Sequence, residues 1–513
     1  MVSLPNIPKY QEFQKSLHGE FSEKQVHKDY LTLREHEKSK NKIVESLQEA
    51  IRLSGLKDGM TISFHHHFRN GDFIVNMVVD AIAKLGIKHL TLAASSLIDI
   101  HKPLIEHIKN GVIHRIETSG LRGELGEAIS HGLMDMPVIF RSHGGRAAAI
   151  ESGEITIDVA FLGAPSCDPF GNANGYSRDN DKGIVCGSMG YAKSDAQFAK
   201  KVIILTDNIV PFPNVPFGIP ENNVDYIVKV DSIGDPQGIM VGATRFTKDP
   251  KELMIAETAS NVIEASGLFQ NGFSMQMGSG GASLAVARFL REKMVRNNIK
   301  ASFALGGITG QMVTMHKEGL IKKILDVQSF DLEAANSLKN NRMHQQISAS
   351  YYASPYNDGS AVNQLDFVIL SALEVDVNFN TNVLVGSDGL IRGAIGGHQD
   401  TAAGAAISII TCPLTRGRMS TIVDNVQCLV TPGKTIDVIV TDHGVAVNPL
   451  RPDLKQKLVE ADIQVVDIKV LQQKALKLVG RPIPISYTDK IVGIVTYRDG
   501  SIIDLVRQVK DTD

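Results

Sequence analysis

Three glycine loops and three polar clusters hold the residue types in this 513-residue chain that could do chemistry. The loops are Met275–Gly281 (MQMGSGG), Gly306–Met312 (GGITGQM) and Gly393–Asp400 (GAIGGHQD), each following a run that reads as a buried strand. Glycine lets backbone N–H groups approach a ligand closely, and successive free N–H groups form anion-binding concavities. Three such loops predict a surface that holds an anionic ligand and a developing oxyanion, with Ser279, Gly280, Gly281 and Gly307 at its edge. The first polar cluster is His65-His66-His67 with Arg69. Consecutive residues on an extended segment alternate faces, so three histidines cannot all reach one metal, and no metal site is expected. Histidines that merely pack, or histidines and Arg69 donating to a polycarboxylate, are the two readings of this cluster. The second cluster, Arg141-Ser142-His143-Gly144-Gly145-Arg146, combines positive charge with a helix start, which suits an anion or solvated arginines alike. The third, Ser371–Asp376 (SALEVD), sets Glu374 and Asp376 on one face of a strand, where buried acids are hydrogen-bonded or act as an acid.

Several chemistries are excluded. No G-x-x-x-x-G-K-[ST] occurs, and MGSGG is neither a full dinucleotide fingerprint nor a nucleophile elbow. Net charge is −3, so no global basic field recruits nucleic acid. The four cysteines are scattered without a C-x-x-C pair, which fits a reducing cytoplasm. No secretory signal and no membrane-spanning apolar run is visible.

The elements that must position these clusters alternate strand and helix. A helix is expected from Lys42 to Leu53, strands at 60–64 and 89–95, and helices at 73–85 and 102–109. This pattern predicts parallel sheets. The order strand, loop, helix, strand at MTISF…HLTLAAS recurs at FSMQM…KASFALGG, roughly 210 residues on, the spacing of a duplicated domain. The expected organisation is an N-terminal arm over 1–40, one α/β domain over 41–235 and a related one over 236–513. Ligands would bind in the cleft at the strand C-termini.

The four segments Gln276–Gly280, Ile308–Met312, Ser371–Asp376 and Ala394–Asp400 resemble, in order, the Q-x-G-I-G, I-H-[ST]-E-M, S-A-x-E-V-D and G-I-G-G-Q-x-D loops of the α/β coenzyme A-transferase superfamily. With SFHHHFRNGD at 63–72 and GGITGQM at 306–312, nearly the whole chain is similar to the citrate lyase alpha family within it. The resemblance implies two related open α/β domains of the CoA-transferase type with a cleft between them. It implies a transferase that exchanges acetyl for citryl on a thioester of an acyl carrier protein (the gamma chain), beside a lyase beta chain, in an oligomer. No cofactor is expected to be bound covalently by this chain. The phosphoribosyl-dephospho-CoA group of the carrier, or a CoA thioester standing in for it, supplies the thiol.

One position departs from the superfamily pattern: Gln311 stands where its relatives carry a nucleophilic glutamate, and an amide cannot perform that attack. The expected route is therefore direct transfer, a citrate carboxylate attacking the acetyl thioester and the released thiolate attacking the mixed anhydride. On this reading Gln311, Gly280, Gly281 and Gly307 serve the reaction centre. Citrate is held by His65, His66, His67, Arg69, Arg141, Arg146 and Ser279. The pantetheine arm runs along Gly396, Gly397, His398 and Asp400. The alternatives are a conventional transferase or hydrolase with Glu374 as covalent carboxylate, and a non-catalytic metabolite sensor of the same fold.

Overall fold

Short Val/Ile/Leu runs become the inner strands of two parallel sheets, because helical crossovers leave such strands with no solvent face. The computed structural model describes residues 41–177, 185–240, 247–278 and 281–510. The arm expected over 1–40, together with Ser279 and Gly280, lies outside these residues.

The first half supplies β1 (Ile43–Val44), β2 (Thr61–Phe64), β3 (Leu90–Ala94), β4 (Ile113–Thr118), β5 (Val138–Phe140), β6 (Val159–Gly163), β7 (Lys201–Thr206) and β8 (Tyr226–Lys229). The second half supplies β9 (Ser274–Met277), β10 (Ala301–Ile308), β11 (Ile321–Ser329), β12 (His344–Gln346), β13 (Phe367–Ser371), β14 (Ile407–Thr411), β15 (Val438–Thr441) and β16 (Gly444–Val447). A closing hairpin is made by β17 (Tyr487–Thr496) and β18 (Ile502–Val509). Every residue of β6 and of β14 is buried, as inner parallel strands require.

The strand orders are β1-β8-β7-β6-β2-β3-β4-β5-β17-β18 and β12-β11-β10-β9-β13-β14-β15-β16. Replacing β2–β8 by β9–β15 turns the inner part of one order into the other, so the repeat seen in the sequence is a repeat of topology. In each sheet the order reverses at the first strand of the repeat: β2 lies between β6 and β3, β9 between β13 and β10. Crevices beyond the strand C-termini open at such reversals. His65–His67 leave β2 there, and Gly278 leaves β9 there.

Two expectations are corrected. The helix predicted from Lys42 begins only at Leu47, because Ser46 caps it by accepting from the Glu49 N–H at 3.2 Å, and the preceding Ile43–Val44 pairs with β8 instead. The closing hairpin, assigned by sequence to the domain 236–513, extends the first sheet: β17 runs parallel to β5, with Gly493 opposite Val138. The hairpin covers what would be an open edge, burying Val492, Val495 and Val506. The same core takes in Leu384, Val385, Ile391, Ile395 and Val430 from the second half, so the two sheets are locked together by shared apolar packing.

Candidate functional site

A cleft of about 360 Å³ lies between the two sheets. Its first wall is built from loops after consecutive strands: His66 and Arg69 after β2, Ser96 after β3, Ser119 and Arg122 after β4, and His143 after β5. Its second wall holds Gly278 after β9, Gly307 in β10, Gln328 in β11, Ser371 at the end of β13, and the loop Gly393–His398. The amide of Gln328 donates to the His66 carbonyl at 3.0 Å and ties the walls together.

All three glycine loops reach the cleft. The third is a strap across to the first sheet: the Leu121 N–H donates to Gly393 (3.1 Å), the Ile395 N–H to Ser119 (2.7 Å) and the His143 N–H to Gly396 (2.9 Å). Gly393 is needed for this approach, since a Cβ there would stand 1.9 Å from the Val383 carbonyl oxygen.

The electrostatics are one-sided. Arg69, Arg122, Arg392 and Arg416 line the cleft, and no carboxylate side chain does so among the described residues. Arg69 holds a left-handed φ of 52°, which aims its guanidinium over the Phe330 ring at 5.1 Å. Its Nη1 is buried without a hydrogen-bond partner. Burial, reinforced by the nearby Arg122, lowers Arg69 to about 10, and burial also lowers Arg122. Desolvation lowers both, and Asp99 offsets it only in part at Arg122; an anionic ligand would supply counter-charge to Arg69 and Arg122 alike. Arg392 pairs with Asp388 at the rim, and Arg416 donates to the Ala372 carbonyl at 2.6 Å.

Of the three consecutive histidines only His66 faces the cleft, as strand alternation demands. The Ser95 hydroxyl accepts from the His66 backbone N–H at 3.1 Å and sits 2.5 Å from its Nδ1. When the hydroxyl donates to Nδ1, the neutral ring carries its proton on Nε2, toward the cleft. Tyr191 stacks on that ring at 5.2 Å and 14°. His65 and His67 do not line the cleft, and their rings lie 3.6 Å apart. His398 fixes its own tautomer: Nε2 must donate to the Ser371 carbonyl (3.1 Å), so Nδ1 accepts from Thr431 (2.7 Å).

Burial holds these imidazoles neutral. It lowers His65 to about 4, His398 to about 4 and His143 to about 3, and puts His66 and His67 well below the ordinary range. In the unfolded chain each takes up a proton near pH 6.5, whereas in the folded chain each refuses it until far lower pH. Stability is therefore expected to fall as pH drops from 6.5 toward 4, by about 1 kcal/mol per histidine at pH 5.5. Asp400, raised by burial to about 6, works the other way, since the folded state takes up its proton first. One carboxyl does not offset five imidazoles. Thermal unfolding at pH 7.5 and 5.5 measures this, and equal midpoints would refute it.

The remaining predicted site residues are structural. Arg141 donates to Glu117 (3.0 Å) and Glu154 (2.7 Å). Arg146 forks onto Asp195 (2.7 and 2.8 Å) and reaches the Ala93 carbonyl (3.0 Å). Neither lines the cleft, because carboxylates already occupy their guanidinium groups. Asp400 accepts from the Ser142 hydroxyl (2.8 Å) and the Gly144 N–H (2.9 Å), joining the third loop to the helix His143–Glu151 and not to a ligand. Glu374 accepts from Asn382 and the Gln427 N–H, both at 3.0 Å, away from the cleft. Gln311 is turned onto the neighbouring helix, its amide facing the Leu284 carbonyl (3.3 Å) and the Arg288 N–H (2.9 Å), and it does not line the cleft. Gly281 opens the helix Gly281–Asn297 outside the cleft, against Glu252. His66, Arg69, Gly307, Gly396, Gly397 and His398 do line it.

Sequence reasoning missed Arg122, Tyr191, Gln276 and Tyr352 as cleft residues. For Arg122 a signal existed: SGLRGE follows a strand and precedes a helix, the grammar that singled out Arg141. Tyr191 and Tyr352 lie in helices whose position on the cleft depends on the tertiary fold.

Residues 40–509 match the family model described as citrate lyase, alpha subunit. The chain is 58% identical over 479 residues to the citrate lyase alpha chain of Klebsiella pneumoniae, covering 93% of this chain and 94% of that protein. A crystal structure described as the alpha subunit of citrate lyase in complex with citrate, from Streptococcus mutans, superposes with a TM-score of 0.90 at 56% identity, covering 93% of this chain and 92% of the other. The fold alone extends to a 4-hydroxybutyrate CoA-transferase from Porphyromonas gingivalis, with a TM-score of 0.52 at 19% identity over 85% of this chain and 98% of that one. The duplicated sheets, the arginine-lined cleft and these likenesses agree: the chain belongs to the citrate lyase alpha subunit family.

Proposed function

We propose that the chain exchanges acetyl for citryl on the thioester of an acyl carrier protein, by direct transfer through a mixed anhydride. The observation that carries this reading is the cleft's four arginines without an acidic side chain among the described residues. Such a site attracts a tricarboxylate and leaves no enzyme carboxylate in place to be acylated. The relative crystallised with citrate supports the choice of substrate.

Citrate is anchored on the first wall by Arg69, Arg122 and the Nε2–H of His66, with Ser96 and Ser119 beside them. The carrier's phosphopantetheine arm, supplied by a gamma chain, runs along Gly393–His398, with Arg416, and Arg392 where it parts from Asp388, beside its phosphates; a beta chain would then cleave the citryl thioester. A citrate carboxylate oxygen attacks the acetyl carbonyl carbon, and the tetrahedral oxyanion collapses with loss of the carrier thiolate. That thiolate then attacks the citryl carbonyl of the anhydride, and acetate leaves. Neither step needs a general base, because both nucleophiles are already anions. The protein's work is to align two anions, exclude water from the anhydride and stabilise the oxyanion.

The test is to incubate the full chain with an acetyl-carrier or acetyl-CoA thioester, with and without citrate, then measure acetate release and intact enzyme mass after borohydride or hydroxylamine trapping. Citrate-dependent release with no modified carboxylate is expected, and Gln311→Ala should keep more than half of wild-type turnover. A trapped Glu374 adduct would restore the covalent route. Citrate binding with no acetate release would make the protein a sensor.

A further inference from the structure

Tyr352 stands where the three glycine loops meet. Its hydroxyl accepts from the Gln276 amide at 3.0 Å, and Gln276 belongs to the first loop. That amide rests over Gly306 of the second loop, where a Cβ would lie 2.6 Å from it. The hydroxyl itself rests over Gly397 of the third loop, where a Cβ would lie 2.3 Å away. Tyr352 and Gln276 both line the cleft, and each is at least nine-tenths buried. Two of the glycines thus make room for one phenol–amide pair.

The direction of the hydrogen bond decides what the pair can do. Gln276 gives its proton to the phenol oxygen, so the phenol's own proton has no acceptor among the described residues. Burial, with Asp400 nearby, pushes the phenol well up, and it stays protonated throughout the working range. It is a permanent neutral donor, unable to serve as a base. The Gly278 N–H of the first loop is already spent, donating to the Ile369 carbonyl at 2.7 Å.

We infer that Tyr352 is a catalytic residue whose hydroxyl donates a hydrogen bond to the tetrahedral oxyanion, with Gln276 as the positioning residue that aims it. The proton stays on the phenol throughout; the hydrogen bond strengthens as negative charge gathers on the former carbonyl oxygen and relaxes when the C–S or C–O bond breaks. The inference rests on the proposed exchange reaction.

Citrate-dependent acetate release by the full chain is measured for wild type, Tyr352→Phe, Gln276→Met and a chain with 3,5-difluorotyrosine at 352. Tyr352→Phe should lower kcat on the order of 100-fold, the usual effect of losing one oxyanion donor, with KM for citrate within about twofold. Gln276→Met should lower kcat by less, on the order of 10-fold, since the donor remains but is no longer held. The difluoro phenol is a stronger donor of the same shape, so its kcat should at least equal wild type at pH 6 and fall at higher pH as that phenol ionises; a purely packing role would leave the pH profile unmoved. Unchanged kcat in Tyr352→Phe, or an unmoved profile in the difluoro chain, overturns the inference while leaving the exchange intact. Absence of exchange in the wild-type chain overturns the parent reading and this one with it. If Tyr352→Phe fails to fold, the difluoro profile alone decides.

Discussion

Arg122→Ala and Arg69→Ala are each expected to weaken citrate binding by roughly 10- to 150-fold, the loss of one or two charge-assisted hydrogen bonds at about 1.5–3 kcal/mol. The effect should appear in the KM for citrate more than in kcat, because the anchored carboxylates carry the same charge in ground and transition states. Lysine should rescue Arg69 poorly. The guanidinium sits over the Phe330 ring and has the planar shape to fork onto a carboxylate, whereas an ammonium is a point charge on a flexible stem. Stability should hold or rise in Arg69→Ala, which removes a largely desolvated cation whose main charged neighbour is another cation, Arg122. Titration calorimetry with citrate, set beside thermal unfolding, separates the two effects. Wild-type citrate affinity in both single variants would mean that the anchor lies elsewhere.

Arg146→Ala is expected to do the reverse. Its guanidinium forks onto Asp195, which is fully buried, so its loss strands an uncompensated carboxylate at a cost of about 3–5 kcal/mol. The folded fraction should still bind citrate, because Arg146 does not line the cleft. Removing the pair together, as Arg146→Met with Asp195→Leu, should recover most of the lost stability, since two apolar side chains leave no orphaned charge. Chemical denaturation of the three variants measures this. Native stability in Arg146→Ala with loss of citrate binding would return the residue to the site.

The contrast between these arginines marks what the sequence could reveal. Strand–loop–helix grammar located the three glycine loops at the cleft edge, because hydrophobic period and glycine position are local properties, but it passed over the loops of Ser96 and Arg122. It could not separate Arg69 from Arg146, since their difference lies in partners distant in the chain: Asp195 is 49 residues from Arg146, while no carboxylate among the described residues meets Arg69. Alternation ruled out one metal shared by His65–His67, yet all three were assigned to citrate, and only His66 turns to the cleft. Gln311 misled for a related reason. Motif register fixed its place along the chain, but a helix turns its side chain, and here it turns toward the Gly281–Asn297 helix. The glycine loops carried the right message for a partly different cause: several are glycine to admit a neighbouring strand or a tyrosine hydroxyl, as well as to face a ligand.

The closing hairpin makes the cleft a late event in the life of the chain. Thr496 donates its hydroxyl to the Phe140 carbonyl, 356 residues away, and its own carbonyl accepts from Gln399 in the third glycine loop at 3.0 Å. Arg498 lies 3.7 Å from Asp400 in the same loop. During synthesis, β5 stays an uncovered edge and the strap across the cleft lacks its backing until residue 509 has emerged, so both halves can be largely folded while the site is unfinished. A chain cut short of the hairpin would therefore leave β5 as an open sheet edge and the strap across the cleft without its backing.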